Sequence, residues 1–250
     1  DDDIQWADNI TGIDVQVVTM ACWVQIDARV GTGAETDTIF TDGAAIAAGN
    51  LRRYLGLAAP IVSGWKFEFR APWSTQGRWQ YNTDLNFNQR YHIAVTYDRG
   101  ATTNDPVIYL DGSSVTVTET QTPVGTAQTG NDSVIVGRNV AANLPLNGKV
   151  AEVAIWSVAL SAGEIAALSN GVSPQRTRRG SLEFHAPLYT AVAAEYADGI
   201  AGTVSSAPGV FDHPRVQPHW GFDVGWRGAF TAAVGQSIMP ILMRQYRPFP

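Results

Sequence analysis

The sequence has one cysteine and no long apolar run, and each of these scarcities excludes a class of protein. Cys22 is the only cysteine among 250 residues, so no disulfide can form within the chain. It lies between Ala21 and Trp23 in an apolar stretch, which predicts a buried side chain. No hydrophobic run approaches the roughly 20 residues that a membrane-spanning helix needs, and we expect no membrane partner.

Positive charge is also scarce. The chain has 17 lysines and arginines against 23 aspartates and glutamates, which gives a formal net charge of −6. Residues 1–174 carry ten basic and eighteen acidic side chains, whereas residues 175–250 carry seven and five. Basic side chains cluster only at Arg176, Arg178 and Arg179. This patch is too short for a nucleic-acid footprint, and no nucleic-acid partner is expected.

Short β-branched and aromatic stretches, separated by turn residues, dominate the first 174 residues. They predict strands near residues 15–26, 65–69, 91–97, 107–110, 114–118, 133–136 and 148–156. Many short strands with this punctuation are typical of an all-β fold, an antiparallel β-sandwich or jelly roll. Trp23 and Trp156 lie in apolar strands and are expected in the core.

Two local signals stand out in this region. Asp111-Gly112 lies between two predicted strands and is a dipeptide that readily accepts positive φ, so it predicts a hairpin turn. Ser161 and Glu164 form a capping-box pattern at the start of one short helix over residues 161–170. We expect this helix to pack at the rim of the sandwich.

The residue composition changes after Pro174, where prolines are interspersed with aromatic residues and glycines. The expected organisation is a sandwich over residues 1–174 and an extended arm over residues 175–250 that docks on the sandwich or on a partner. The residues predicted to bind a partner protein are Trp220, Phe222, Trp226, Ile238, Ile241, Leu242, Arg244, Tyr246 and Arg247.

Several motifs of the chain resemble those of a known family. They are, in order, YHIAVTYDRG, VIYLDGSSV, VIVGRN and LNGKVAEVAIWSVALSAGEIAAL. This ordered set resembles the laminin-G-like and concanavalin-A-like jelly-roll domains, and the resemblance covers residues 10–174. The segment NGVSPQRTRRGSLEFHAPLY and the DHPR at 212–215 resemble laminin-G-like proteins encoded among the structural genes of tailed phages.

No arrangement of residues predicts catalysis. A sandwich glycosidase needs two carboxylates on one strand face, whereas Glu68 and Glu152 each stand alone and Glu183 alternates only with His185. We therefore expect no catalytic residues and no enzyme activity.

Cofactors are likewise not expected, although the family resemblance raises the question of calcium. The possible oxygen ligands are Asp42, Asn131 and Asp132, and ordinary turn-forming roles are favoured for them.

The stretch APWSTQGRWQYNTDLNFN contains the candidate residues for binding a glycan. They are Trp73, Trp79, Tyr81, Asn82 and Asp84. Exposed aromatic rings beside amides and carboxylates can stack on a sugar and bond to its hydroxyls. The alternative is that Trp79 and Tyr81 point to one face of a strand and fill the core. For Trp73 the sequence leaves both interpretations open.

Together these observations favour a non-enzymatic structural protein of a virus particle. The resemblance implies a phage capsid decoration or cement protein, or a tail-associated one, located in the virion, that binds major capsid or other virion proteins and forms a homo-oligomer. The alternative is a carbohydrate-binding adhesion module that recognises cell-surface glycans.

Overall fold

Two antiparallel sheets face each other across a shared hydrophobic core. The computed structural model describes residues 4–6, 10, 12–28, 38–42, 53–58, 64–128, 133–137, 146–188, 197 and 201–204. The sheets confirm the expected all-β class and the antiparallel sandwich architecture.

The described residues contain sixteen strands, one α-helix and two 3₁₀ turns. The strands are β1 (Ile4–Trp6), β2 (Val17–Ile26), β3 (Thr38–Asp42), β4 (Arg53–Leu57), β5 (Phe67–Ala71), β6 (Trp73–Thr75), β7 (Gly77–Tyr81), β8 (Arg90–Asp98), β9 (Val107–Leu110), β10 (Ser113–Val115), β11 (Val117–Gln121), β12 (Val124–Ala127), β13 (Val134–Val136), β14 (Gly148–Trp156), β15 (Leu182–Ala186) and β16 (Thr203–Val204). The helix α1 spans Ala162–Ser169, and the 3₁₀ turns span Pro174–Arg176 and Arg179–Ser181.

The larger sheet has eight strands in the order β11-β7-β5-β4-β3-β13-β1-β16. The smaller sheet has six strands in the order β10-β9-β8-β2-β14-β15, and β12 pairs with β6 alone. The long strand β2 therefore lies inside the six-stranded sheet, between β8 and β14.

The core lies between the sheets and follows the alternation of side chains along each strand. In β2, Met20, Cys22, Val24 and Ile26 are buried in the main core cluster. Opposite them the eight-stranded sheet contributes large side chains such as Phe40, Leu55, Phe67, Phe69 and Trp79. The burial expected for Cys22 is confirmed, and burial raises the pKa of its thiol, which keeps it protonated and inert.

The predicted hairpin is confirmed at Asp111-Gly112. Leu110 pairs with Ser113, and the two turn residues have φ of 48° and 83°, as a two-residue hairpin turn requires. The single strand expected over 114–118 is instead two strands. Ser113–Val115 pairs with β9 in one sheet and Val117–Gln121 pairs with β7 in the other, so the chain crosses between the sheets at Thr116.

The helix α1 is confirmed, together with both halves of its capping box. The Ser161 side chain accepts from the Glu164 backbone N–H, and the Glu164 side chain accepts from the Ser161 N–H. The expected position at the rim is wrong, because Ile165 and Leu168 pack on the outer face of the six-stranded sheet. The alanines Ala21, Ala94 and Ala154 form the floor of this second cluster, since their small side chains let the helix approach.

The sandwich extends beyond the boundary expected at residue 174. Strand β15 pairs with β14 from Val153 to Trp156, and β16 pairs with β1. Residues 182–186 and 203–204 are therefore strands of the two sheets. The predicted partner-binding residues from 220 to 247 lie outside the described residues.

Within the described part of the chain, no helix is long and apolar enough to cross a membrane.

Alanine substitutions at two glycines near the helix are expected to have opposite effects on stability. A Cβ at Gly112 would clash with Ser169 Oγ and lie 3.1 Å from Ala166 Cα, at a φ of +83°. A Cβ at Gly163, inside the helix, would meet nothing within 4 Å. We expect Gly112→Ala to destabilise the fold by about 1–3 kcal/mol and Gly163→Ala to stabilise it by about 0.5–1 kcal/mol. Urea unfolding of both variants tests this, and equal effects would contradict the close packing of hairpin on helix.

Candidate functional site

The outer face of the six-stranded sheet carries an aromatic and polar patch beside the helix. Trp23 and Gln25 alternate with the core residues of β2 and therefore point away from the core. Trp23 pairs with His92 of β8 and Ala151 of β14, and Gln25 pairs with Arg90 and Lys149 on the same two strands. We call Trp23, Gln25, Arg90 and Lys149 the tryptophan face.

The expectation that Trp23 lies in the core is wrong. Its ring is partly exposed and contacts the His92 ring edge-on, with ring centroids 5.2 Å apart. Trp156 is fully buried as expected, but in the cluster beneath α1. The difference arises because α1 covers the part of β2 around Ala21 and leaves the next outward residue, Trp23, uncovered.

Most indole N–H groups of the described tryptophans have a hydrogen-bond acceptor, and the exceptions are the buried Trp6 and the partly exposed Trp23. Those of Trp65, Trp73, Trp79 and Trp156 donate to Asn86 O, Tyr97 Oη, Asp105 Oδ1 and Thr177 O, at 2.8–3.1 Å. That of Trp23 makes no hydrogen bond with any residue that the structure describes. The indole therefore offers a ring face, an edge and a free donor to a ligand.

Asp27 orders the polar part of the tryptophan face. Its carboxylate accepts from Gln25 Nε2 and from Lys149 Nζ, both at 2.7 Å. Burial raises the pKa of Asp27, but the hydrogen bonds from Lys149 and Gln25 outweigh it and hold that pKa below its ordinary value. Because the Gln25 amide nitrogen is held by Asp27, its carbonyl oxygen is presented as an acceptor beside the indole.

The dimensions of the face suit a small ligand. Its two rows of side chains are about 7 Å apart along the strands, and its three strands span about 10 Å. This area is comparable with that of a single sugar ring.

A strained bulge lies at the edge of this face. The register between β2 and β14 shifts between Ala151 and Ala154, and Glu152 within the bulge has a φ of 51°. The bulge directs the Glu152 carboxylate to His185 of β15, with Oε2 and Nε2 2.7 Å apart in a buried pair. The sequence did not indicate this pair, because 33 positions separate the two residues and His185 alternates instead with Glu183.

The structure places Trp73 and Trp79 in the core. They are 5% and 1% exposed. The Trp79 ring packs between Phe69 and Tyr97, with ring centroids 6.1 and 5.5 Å away. Neither ring presents a face to solvent, so the core alternative replaces the sugar-stacking one for both.

The other candidates of that stretch lie where β7 ends. Tyr81 is partly exposed and stacks on Phe67, with ring centroids 5.2 Å apart. Asn82 and Asp84 are exposed, and Asp84 lies 3.6 Å from Lys66 Nζ. Glycan binding by these three residues stays a prediction.

Of the oxygen ligands considered for calcium, the structure describes Asp42 alone. Asp42 is buried and pairs with Arg53, with Oδ2 and Nε 2.5 Å apart. Burial raises the pKa of Asp42 to about 6, although the charge of Arg53 opposes the rise. Asn131 and Asp132 lie outside the described residues, and within the described ranges no three His, Cys, Asp or Glu side chains group around a possible metal position.

The carboxylates considered for catalysis each have a protein partner. Glu68 pairs with Arg70, Glu152 with His185, and Glu183 accepts from the Ser157 hydroxyl. Glu68 lies on the eight-stranded sheet, whereas Glu152 and Glu183 lie on the neighbouring strands β14 and β15 of the six-stranded sheet, where each is held by its own partner.

Comparisons with known proteins agree with this architecture. The Laminin_G_3 family model, described as the concanavalin A-like lectin/glucanases superfamily, matches residues 1–166. No curated protein matches the chain.

Several solved structures are similar to this chain at low sequence identity. A proposed carbohydrate-binding protein from Bacteroides ovatus is 20% identical, with a TM-score of 0.58 over 82% of this chain and 56% of that chain. A heptameric pentraxin from Limulus polyphemus is 13% identical, with a TM-score of 0.49 over 67% of this chain and 75% of that one. Domain 4 of an extracellular arabinanase from Geobacillus stearothermophilus, in complex with arabinotriose, is 20% identical, with a TM-score of 0.43 over 63% and 69%. This chain thus spans just over half of the Bacteroides protein.

His92, beneath the indole, predicts a pH dependence of stability. Burial lowers its pKa to about 4, whereas an unfolded histidine titrates near 6.5. Between these values the unfolded chain binds the proton and the folded chain does not, so this residue makes stability fall as pH falls from about 6.5 to 4. We expect His92→Phe to remove this loss and to gain up to about 3 kcal/mol over the wild type across that range.

Urea unfolding of both proteins at pH 7, 5.5 and 4.5 measures the effect. Asp42, with its raised pKa, contributes in the opposite direction over the same range, but it is common to both proteins and cancels in their difference. A difference between variant and wild type that does not change with pH would contradict a neutral, buried His92.

Proposed function

The chain belongs to the concanavalin A-like lectin/glucanases superfamily, and from this premise we propose that it is a non-catalytic carbohydrate-binding module whose sugar site is the tryptophan face. The observation that carries this proposal is the partly exposed Trp23. Its ring lies on the outer face of the six-stranded sheet and its N–H bonds to no described residue, whereas the other tryptophans in the described ranges are buried.

The neighbours of Trp23 supply the polar groups that a sugar needs. A stacked sugar ring presents its hydroxyls at its rim, where Gln25 and Lys149 lie in the next row of the sheet. Asp27 holds both of these side chains, which lowers the entropy lost when a ligand binds. Arg90 lies on β8, on the side of Gln25 opposite to Lys149. Its side chain is exposed and extends the tryptophan face.

The arrangement of acidic side chains in the described structure is consistent with binding without catalysis. Glycoside hydrolysis needs two carboxyl groups about 5–10 Å apart across the scissile bond. On the tryptophan face Asp27 is held by Lys149 and Gln25, and its lowered pKa makes it a poor proton donor at neutral pH. Glu152 is buried against His185.

The likeness to the Bacteroides ovatus protein supports the same interpretation. That protein is a proposed carbohydrate-binding protein and shares this fold at a TM-score of 0.58. At 20% identity the likeness shows the fold, and the proposed binding site rests on the residues of this chain.

The role in a virus particle stays a prediction. The residues expected to bind virion proteins or a second copy of this chain, from 220 to 247, lie outside the described structure. Location in a virion and homo-oligomer formation likewise stay predictions.

Replacing Trp23 tests the proposed function. We expect the wild-type chain to retain glycans on an array, and Trp23→Ala to weaken the best of them at least about tenfold, or about 1.4 kcal/mol, because the stacking surface is lost. Trp23→Phe should keep part of the affinity. Titration calorimetry gives the affinities, and thermal unfolding checks that both variants remain folded.

A matched variant separates this face from the rim at the end of β7. Asn82→Ala removes an exposed amide there and should leave glycan affinity unchanged. If Asn82→Ala abolishes binding while Trp23→Ala does not, the sugar site lies at the rim. If the wild-type chain binds no glycan, the proposed function is wrong.

A further inference from the structure

The outer face of the eight-stranded sheet, on the opposite side of the sandwich, carries a second polar surface. Strand pairing places its side chains in two cross-strand rows. We call this surface the arginine face; its first row is Tyr54, Arg70, Arg78 and Gln121, and its second is Glu68, Gln80 and Thr118.

Three of these residues hold one another. Arg70 Nε pairs with a Glu68 carboxylate oxygen, and the side chains are 17% and 9% exposed. The Arg70 guanidinium also lies over the Tyr54 ring, 4.6 Å from its centroid. The positive charge of Arg70 is therefore balanced by Glu68 and by the aromatic ring.

Arg78 has no such balance. It lies directly opposite Arg70, and its Nε is buried without a hydrogen-bond acceptor among the residues that the structure describes. Its guanidinium forms no ion pair within that part of the chain, because the nearby Glu68 is held by Arg70. Burial, and then the charge of Arg70, lower the pKa of Arg78. The face thus contains two guanidinium groups and one carboxylate.

An unbalanced, half-buried guanidinium destabilises the free protein and attracts an anion. A guanidinium recognises a carboxylate through paired N–H donors, more strongly than it recognises a neutral hydroxyl. The other polar side chains of the face near Arg78 are the amides of Gln80 and Gln121 and the hydroxyl of Thr118, which can bond to hydroxyl groups. The Thr118 oxygen accepts from Asn82 Nδ2, so its own O–H remains as the donor.

We propose that Arg78 anchors a second binding site, on the arginine face, for the carboxylate of an acidic sugar such as a uronic acid. The anion supplies the direct partner that the nearby Glu68, which is paired with Arg70, does not give Arg78. Gln80, Gln121 and Thr118 bond to the sugar hydroxyls. The site lies on a different sheet from the tryptophan face, so either proposal can fail without the other.

The test compares an oligogalacturonate with its methyl ester, measured by calorimetry against the full chain. We expect the wild type to bind the acid at least tenfold more tightly than the ester, with an affinity that falls as salt rises. Arg78→Gln should lose at least tenfold for the acid, whereas Arg176→Gln, which removes an exposed arginine elsewhere, should lose nothing. Trp23→Ala should leave the Arg78-dependent difference between acid and ester unchanged.

Thermal unfolding separates a binding role from a structural one. If Arg78 serves the ligand, Arg78→Gln melts at or above the wild-type temperature, because an unbalanced charge has been removed. A clearly lower melting temperature would assign Arg78 to the fold and overturn the proposal. Equal binding of acid and ester, or no effect of Arg78→Gln on the acid, would overturn it as well.

Inorganic sulfate distinguishes an acidic sugar from a bare oxyanion. It should compete only at concentrations far above that of the oligogalacturonate, because it cannot use Gln80, Gln121 or Thr118 as a sugar does. Competition at equal concentration would mean that the face binds simple anions, which contradicts the assignment to a sugar.

Discussion

The alternation of side chains along strand β2 is the constraint on which the rest of the structure depends. Every second residue from Val18 to Ile26 enters the core, so the residues between them must face outward on the six-stranded sheet. Because β8 and β14 flank β2 over most of its length, their outward residues are set in the same rows. A slip of one residue would bury Trp23 and expose Cys22, at the cost of the whole core face.

The outward face of this sheet is divided between the part that α1 covers and the proposed ligand-binding surface. Its alanines at positions 21, 94 and 154 leave room for α1, whose apolar residues complete a second cluster. The next row, Trp23 and His92, is too bulky for the helix to continue over it. The surface left uncovered is the tryptophan face, and its polar side chains are ordered by Asp27.

The eight-stranded sheet also shows how charged side chains are paired at different depths. Asp42 and Arg53 are both buried and pair with each other. Glu68 and Arg70 pair near the surface, but the neighbouring Arg78 has no acceptor in the described structure. Folding alone gives no benefit from this imbalance, since burying an unpaired donor costs free energy. In the proposed site the carboxylate of the ligand is the partner of Arg78, whereas Arg53 and Arg70 each have a carboxylate of the chain itself.

Local sequence determined the strand-rich class, the Asp111-Gly112 turn and the capped helix at Ser161, because each depends on residues within a few positions of one another. It also determined the family, through motifs kept in order along 1–166. Which aromatic ring meets solvent was decided by the tertiary structure. Trp23 lies in an apolar run that resembles a buried strand, and Trp73 lies in a polar stretch that resembles a loop, yet the first is partly exposed and the second is buried. Exposure depends on which element covers a sheet face, and residues distant in the chain supply that cover.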